Sequence, residues 1–173
     1  MIENYNTPTL VRELANYISG YSDGEGCFSI SFSRRSKLKV GWEVKPSFAV
    51  GQNFDRREVL DLMKEYFKCG FLRRDFKDKT LKYEIRSLKD LLEKVVPHFE
   101  SYPLKSTKQK DFIIFAEICK KMKNSSHLSK DGFKEIVRQA YKMNGSGKRK
   151  FTIETLLSDE DIVYASMKIE GVT

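Results

Sequence analysis

Two spacings of apolar residues alternate along the chain, and each switch marks a new element. Leu10, Leu14, Tyr17, Ile18 and Tyr21 recur at helical intervals and predict a helix from a Thr9 cap to about Tyr21. In "CFSISFSR" the spacing drops to two. Phe28, Ile30 and Phe32 alternate with Ser29, Ser31 and Ser33, as in a half-buried strand. The segment "SRRSKLKVG" reads as a basic hairpin loop. A second strand follows, with Val40, Trp42, Val44, Pro46, Phe48 and Val50 on one face and Lys39, Glu43, Lys45 and Ser47 on the other. Pro46 gives no N–H to a ladder, so a bulge or an unpaired position is expected there.

Asp55, with Glu58 three residues on, predicts a capped helix ending at Cys69-Gly70. "GFLRRDF" and "LKYEIRS" form a second hairpin joined by "KDKT". Ser87 caps a short helix that Pro97 is expected to terminate. From Thr107, a stripe of Phe112, Ile113, Phe115, Ala116, Cys119 and Met122 predicts a longer helix. Another opens at Ser129 and turns Phe133, Ile136, Val137, Ala140 and Tyr141 one way. A flexible basic linker, "NGSGKRK" (144–150), leads to a last helix capped at Ser158.

Strands and helices in blocks predict an α+β fold: an αββαββα core whose four-stranded, antiparallel, saddle-shaped sheet carries helices on one face, with additional C-terminal helices. One core over residues 1–143 is expected, with a basic loop and C-terminal helix at 144–173 packed on the same domain. The open face would carry the serines and charges of the first hairpin, then Arg73, Lys82, Glu84 and Arg86 from the second. A two-stranded ribbon with such side chains fits a DNA major groove.

At 173 residues the chain is long enough for one domain with a real core. No apolar run reaches membrane-spanning length, and "MIENYNTPTLV" lacks the layout of a signal peptide. No membrane partner is expected. Cys27, Cys69 and Cys119 are scattered and in no metal-binding spacing, which reads as reduced, structural and intracellular. Charge is more informative. The net is +8, but residues 1–32 carry one Arg against four acids, whereas 33–112 carry 20 basic residues against 12 acidic. The middle of the chain therefore suits a polyanion.

The acidic stretch contains an odd motif. In "ISGYSDGEG" (18–26), Gly20, Gly24 and Gly26 bracket Asp23 and Glu25 where helix gives way to strand. This resembles the signature of the LAGLIDADG homing endonucleases, with Ile18, Gly20, Asp23, Glu25 and Gly26 at signature positions and Ser19 and Ser22 departing from it. The element order also resembles that family's core over about residues 5–143, as do "VGQNFDRREVL" and "PLKSTKQKDF". A single signature without an internal repeat resembles the branch whose members act as homodimers.

That resemblance implies a double-strand DNA endonuclease cutting a long, near-palindromic site, encoded in a group I intron or similar element. The alternative is a non-cleaving binder on the same scaffold, either an intron RNA maturase or a DNA-binding regulator. Signature helices would pair across a two-fold axis through Ile18, Ser19, Gly20 and Asp23. Glu25 and the Gly24 carbonyl would hold Mg²⁺, with Mn²⁺ or Ca²⁺ as possible occupants. Gln52 would order water, and Arg56 and Lys108 would stand near the scissile phosphate, although "KSTKQK" leaves Lys105 and Lys110 as alternatives. Base reading falls to Ser29, Ser31, Ser33, Arg35, Lys39, Glu43, Lys45 and Arg73. Lys148, Arg149 and Lys150 would anchor phosphates. The implied location is a bacterial or archaeal cytoplasm, a chloroplast or a mitochondrion.

Overall fold

The computed structural model describes residues 7–158 apart from 77, 78 and 146, with only the backbone of Asp75. Its strands form one four-stranded sheet of order β1-β2-β4-β3, flanked in sequence by helices, and the α+β class is as expected. The chain divides into two compact units. The first takes residues up to 28 and 47–112, and the second takes 29–46 and those from 113 on.

In the first unit, helix α1 runs Pro8–Glu25, four residues past Tyr21. Its cap is Thr7 rather than Thr9: the Thr7 hydroxyl accepts from Leu10 N (3.3 Å), and Pro8 occupies the first turn, where its missing N–H costs nothing. Gly20 and Gly24 do not break α1, since both lie on its exposed side. Gly26 ends it. The Gly26 N–H reaches the Ser22 carbonyl, and a Cβ at Gly26 would stand 2.5 Å from that oxygen.

Strand β1 (Gly26–Arg34) then starts, and β2 (Trp42–Asn53) follows the hairpin. β2 pairs antiparallel with β4 (Thr80–Ile85) from Phe48↔Ile85 to Asn53↔Thr80, which leaves Pro46 outside that paired stretch. β3 (Phe71–Asp75) pairs antiparallel with β4 at the sheet edge. Helix α2 (Glu58–Phe67) has no side-chain cap. A 3₁₀ turn, Phe54–Arg56, intervenes, so the Asp55 capping box is not formed. The turn out of α2 needs left-handed backbone at Lys68 (φ 50°) and Gly70 (φ 74°).

Ser87 does cap the next helix, its hydroxyl accepting from Asp90 N (3.3 Å). Pro97 does not end it. α3 (Leu88–Asp90) passes through a π turn, Leu91–Val95, into α4 (Val96–Ser101). The wider π turn lies just where the proline ring would otherwise crowd a carbonyl one turn back. Phe28, Phe48, Phe67, Phe99 and Phe112 pack together beneath these elements, with ring centroids 5.1–6.1 Å apart.

The second unit holds the β1–β2 hairpin, most of α5 (Lys108–Lys123), α6 (Lys130–Ala140) and the short α7 (Ile153–Leu157). Ile30, Phe32, Val40, Trp42 and Val44 are buried, as their alternation predicted. Phe32 meets Phe133 edge-on, and Trp42 meets Phe151. Ile113, expected on the buried stripe of α5, is 47% exposed, while Ile118 is fully buried in its place. Ser129 caps α6 through Gly132 N (3.2 Å). Helix α7 is capped by Thr152 and closed by Ser158; the helix expected after Ser158 lies outside the described residues.

Candidate active site

In the first unit, the end of β2 and residues 105–108 both reach the last turns of α1. A helix leaves its last carbonyls without intrahelical partners, and they carry partial negative charge. Here the Lys108 ammonium donates to the carbonyls of Ser22 (3.0 Å) and Gly24 (3.3 Å). Of the three lysines in "KSTKQK", Lys108 is thus the one brought to α1; Lys105 and Lys110 are exposed. Glu25 is the last residue of α1 and is exposed, as is Gly24.

Asp23 fixes how Lys108 gets there. Its Oδ2 accepts from Lys105 N and Ser106 N (2.9 Å each), and its Oδ1 accepts from the Ser106 hydroxyl. Ser106 Oγ in turn accepts from Lys108 N (3.1 Å). The acid therefore staples the loop before α5 onto the end of α1. Partial burial pushes its carboxyl up. The Ser106 hydroxyl, the two N–H groups and the Lys108 charge outweigh that and hold it below the usual range.

Gln52, half-buried at the end of β2, donates through Nε2 to the Tyr21 hydroxyl and accepts at Oε1 from Asn53 N (2.7 Å). Its amide is therefore oriented, with a second Nε2–H left over. Arg56 is exposed in the 3₁₀ turn. Arg57 is engaged in a two-pronged pair with Asp61 (2.7 and 3.0 Å), which makes it part of the α2 surface.

Two residues expected to pair helices face the other way. Ile18 is fully buried in its own chain, and Ser19 is 5% exposed. Ser19 Oγ donates to the Tyr102 carbonyl (2.7 Å), so it must accept from His98 Nε2–H (3.1 Å), which leaves His98 Nδ1 to accept from the Tyr66 hydroxyl (3.0 Å). Enclosure among Phe67, Phe99 and Tyr102 pushes the His98 imidazole down to about 4. The uncovered side of α1 is instead Glu13, Tyr17, Gly20 and Gly24, at i, i+4, i+7 and i+11. A Cβ built at Gly20 or Gly24 meets nothing within 4 Å.

The oxygen donors at this end suit a hard cation, and an ammonium already lies against two of them. Among the described residues, no three His, Cys, Asp or Glu side chains gather to hold a metal ion.

In the second unit, Glu43 organises the hairpin's polar face. It pairs with Arg35, with Lys45 (3.1 Å) and with the Ser33 hydroxyl (3.3 Å). Lys45 is the chief cause holding the Glu43 carboxyl below its usual range. Ser31 donates to the Lys45 carbonyl (3.3 Å), Ser29 is half-buried, and Lys39 is exposed in the loop. Arg149 is not a free anchor. Its guanidinium donates to the carbonyls of Ala140 and Met143 (3.0 Å) and lies over the Tyr141 ring, closing the end of α6. Lys148 and Lys150 remain exposed.

On the first unit's sheet surface, Glu84 was expected to be open but is 6% exposed. Burial alone would raise its carboxyl. Arg86 (2.8 Å), Arg73 (3.5 Å) and Ser47 (3.3 Å) overcome that and lower it. Arg73 thus sits half-exposed with one edge committed to Glu84. Sequence reading missed Tyr21, Ser106 and His98. Tyr21 looked like one more apolar residue, and nothing in local spacing links residues 79 to 83 positions apart.

The family model described as "LAGLIDADG endonuclease" matches residues 18–119. A "Probable intron-encoded endonuclease 2" of Neurospora crassa is 30% identical over 130 residues, covering 75% of this chain and 29% of its own length. The chain spans about a quarter of the first curated fungal relatives it matches. The crystal structure of a homing endonuclease, I-TnaI, superposes with a TM-score of 0.73 at 31% identity, covering 92% of this chain and 97% of that one. I-SmaMI bound to uncleaved DNA target in the presence of calcium ions gives 0.74 at 26% identity, covering 83% and 47%.

Proposed function

The chain belongs to the LAGLIDADG endonuclease family, and on that footing we propose that it is a site-specific homing endonuclease cutting both strands of a long, near-palindromic DNA site. The observation that carries this reading is the convergence of Glu25, the Gly24 carbonyl, oriented Gln52 and Lys108 at one helix end.

In this reading two copies pair through the uncovered side of α1. Tyr17, 49% exposed, flanks the smooth strip at Gly20 and Gly24, where backbones can approach. Pairing brings both Glu25 carboxylates to a dyad. A bound divalent ion, Mg²⁺ by its preference for oxygen donors, would activate water and offset charge developing on the phosphate.

The chain's own residues do the rest. Glu25 supplies negative charge and a ligand oxygen. Gln52, held by Tyr21 and Asn53, offers its spare N–H to fix the attacking water. Lys108 and Arg56 neutralise the phosphate and the leaving oxygen. The hairpin cluster of Arg35, Glu43, Lys45 and Ser33, with Arg73 from the other unit, reads base edges, and Lys148 and Lys150 bind phosphates. DNA is the partner and an intron the source, as the names of the relatives suggest for this chain too.

The test is incubation with a randomised DNA library in Mg²⁺ and in EDTA, followed by sequencing of cut ends. One recurrent, near-palindromic cut site that EDTA abolishes is expected. Uncut DNA at saturating protein and Mg²⁺ would make the chain a binder on an endonuclease scaffold.

A further inference from the structure

The Lys108 ammonium lies where a cation belongs, against the carbonyls of Ser22 and Gly24 rather than out over a phosphate. As a plain helix cap this would be unremarkable, since lysines often satisfy the last carbonyls of a helix. Two features set it apart. The Ser22 carbonyl already receives the Gly26 N–H, so the lysine is not needed to satisfy it. And the root of the lysine is held by a dedicated latch, Asp23 to Ser106 to Lys108 N, built from the acid two residues before Glu25.

Taking the end of α1 as the cation site of the proposed endonuclease, we propose that Lys108 is its resident counter-ion. In the protein alone the ammonium occupies the oxygen site, and a divalent ion must displace it from the Gly24 carbonyl to bind. Both cations cannot share that carbonyl, because charges a few ångströms apart at a protein surface repel strongly. DNA resolves the competition. A phosphate placed beside the site gives the displaced ammonium a new partner, so the ion enters as Lys108 swings to the backbone. Metal affinity is thereby coupled to bound DNA, and a protein without target stays unloaded. The coupling is reciprocal: the ion should also tighten DNA binding.

The test is Mn²⁺ binding to the purified full chain, followed by electron paramagnetic resonance, without DNA and then with a bound duplex. Without DNA, Lys108→Met should bind Mn²⁺ at least about tenfold more tightly than the wild type, because it keeps the aliphatic stem and removes the competing charge. Adding DNA should shrink that gap. If Lys108→Met fails to fold by circular dichroism, Lys108→Gln is measured in the same way. Equal or weaker Mn²⁺ binding by the folded variant overturns the counter-ion role. The underlying site is judged separately. In a Glu25→Gln, Lys108→Met double variant the gain should vanish, and retained tight binding would place the ion elsewhere and refute the site itself.

Discussion

The burial of His98 should begin to cost this protein stability below pH 6.5, before its carboxylates titrate. The imidazole is enclosed by aromatic rings, and its Nδ1 is committed as an acceptor to Tyr66. A charged ring would sit desolvated, which is why its value falls from 6.5 to about 4, and it would also have to give up that bond. The unfolded chain therefore binds this proton more readily than the folded one between those values. Stability from the neutral ring is complete above pH 6.5 and is lost as pH falls toward 4. Between pH 7.5 and 5 the loss is about 2 kcal/mol, and the whole window is bounded at ~3 kcal/mol.

For a chain of this size such a loss lowers Tm by roughly 4–8 °C. Asp23, Glu43 and Glu84 are all held below their usual range, so they add little above pH 5. The only other histidine, His127, is also pushed down by burial, and a His127→Gln background removes it. Urea unfolding followed by circular dichroism, in half-unit steps from pH 7.5 to 5, gives the slope. His98→Gln keeps a donor toward Ser19 and should abolish most of the slope, whatever its absolute stability. An unchanged slope in that variant would refute the burial argument.

Gly20→Ala should leave the fold intact or stabilise it by up to about 1 kcal/mol, since alanine suits a helix better and the site is open. The same change should weaken self-association in sedimentation equilibrium, because the added methyl groups keep paired helices apart. Asp23→Ala removes the acceptor for three donors. It should cost about 1–2 kcal/mol in urea unfolding and lower the cleavage rate by loosening the root of Lys108. Replacing Lys148 and Lys150 with Gln should reduce the slope of log Kd against log salt by about two per protomer, with no change in the base preferred at any position.

The sheet was readable in advance because strand periodicity is local. Phe28 to Phe32 and Val40 to Val50 fall on the buried face just as their alternation implied. Element ends were harder. The helical spacing of apolar residues runs out at Tyr21, but α1 continues through Gly24, because glycine on an exposed helix side carries only a modest propensity penalty, which packing of Ile18 and Ser19 outweighs. Pro97 looked like a terminator, and a π turn accommodates it instead.

At the site, residue types were legible while their aims were not. Ile18 and Ser19 share the signature with Gly20, but a helix turns each successive residue by 100°, so only Gly20 reaches the uncovered side. Arg149 shares a basic run with Lys148 and Lys150, but it alone reaches back to the end of α6. Contacts such as Asp23–Ser106 join residues 83 positions apart, and no local rule encodes them.

The most direct measurement sets the two activities of one variant side by side. Glu25→Gln exchanges an exposed carboxylate for an amide of the same shape, so the fold and the DNA-reading surfaces are untouched. Fluorescence anisotropy on the mapped target should give a Kd within a few-fold of wild type, while cleavage in Mg²⁺ falls by at least about a thousandfold. A variant that cuts near the wild-type rate would show that the end of α1 is not where the phosphodiester is hydrolysed.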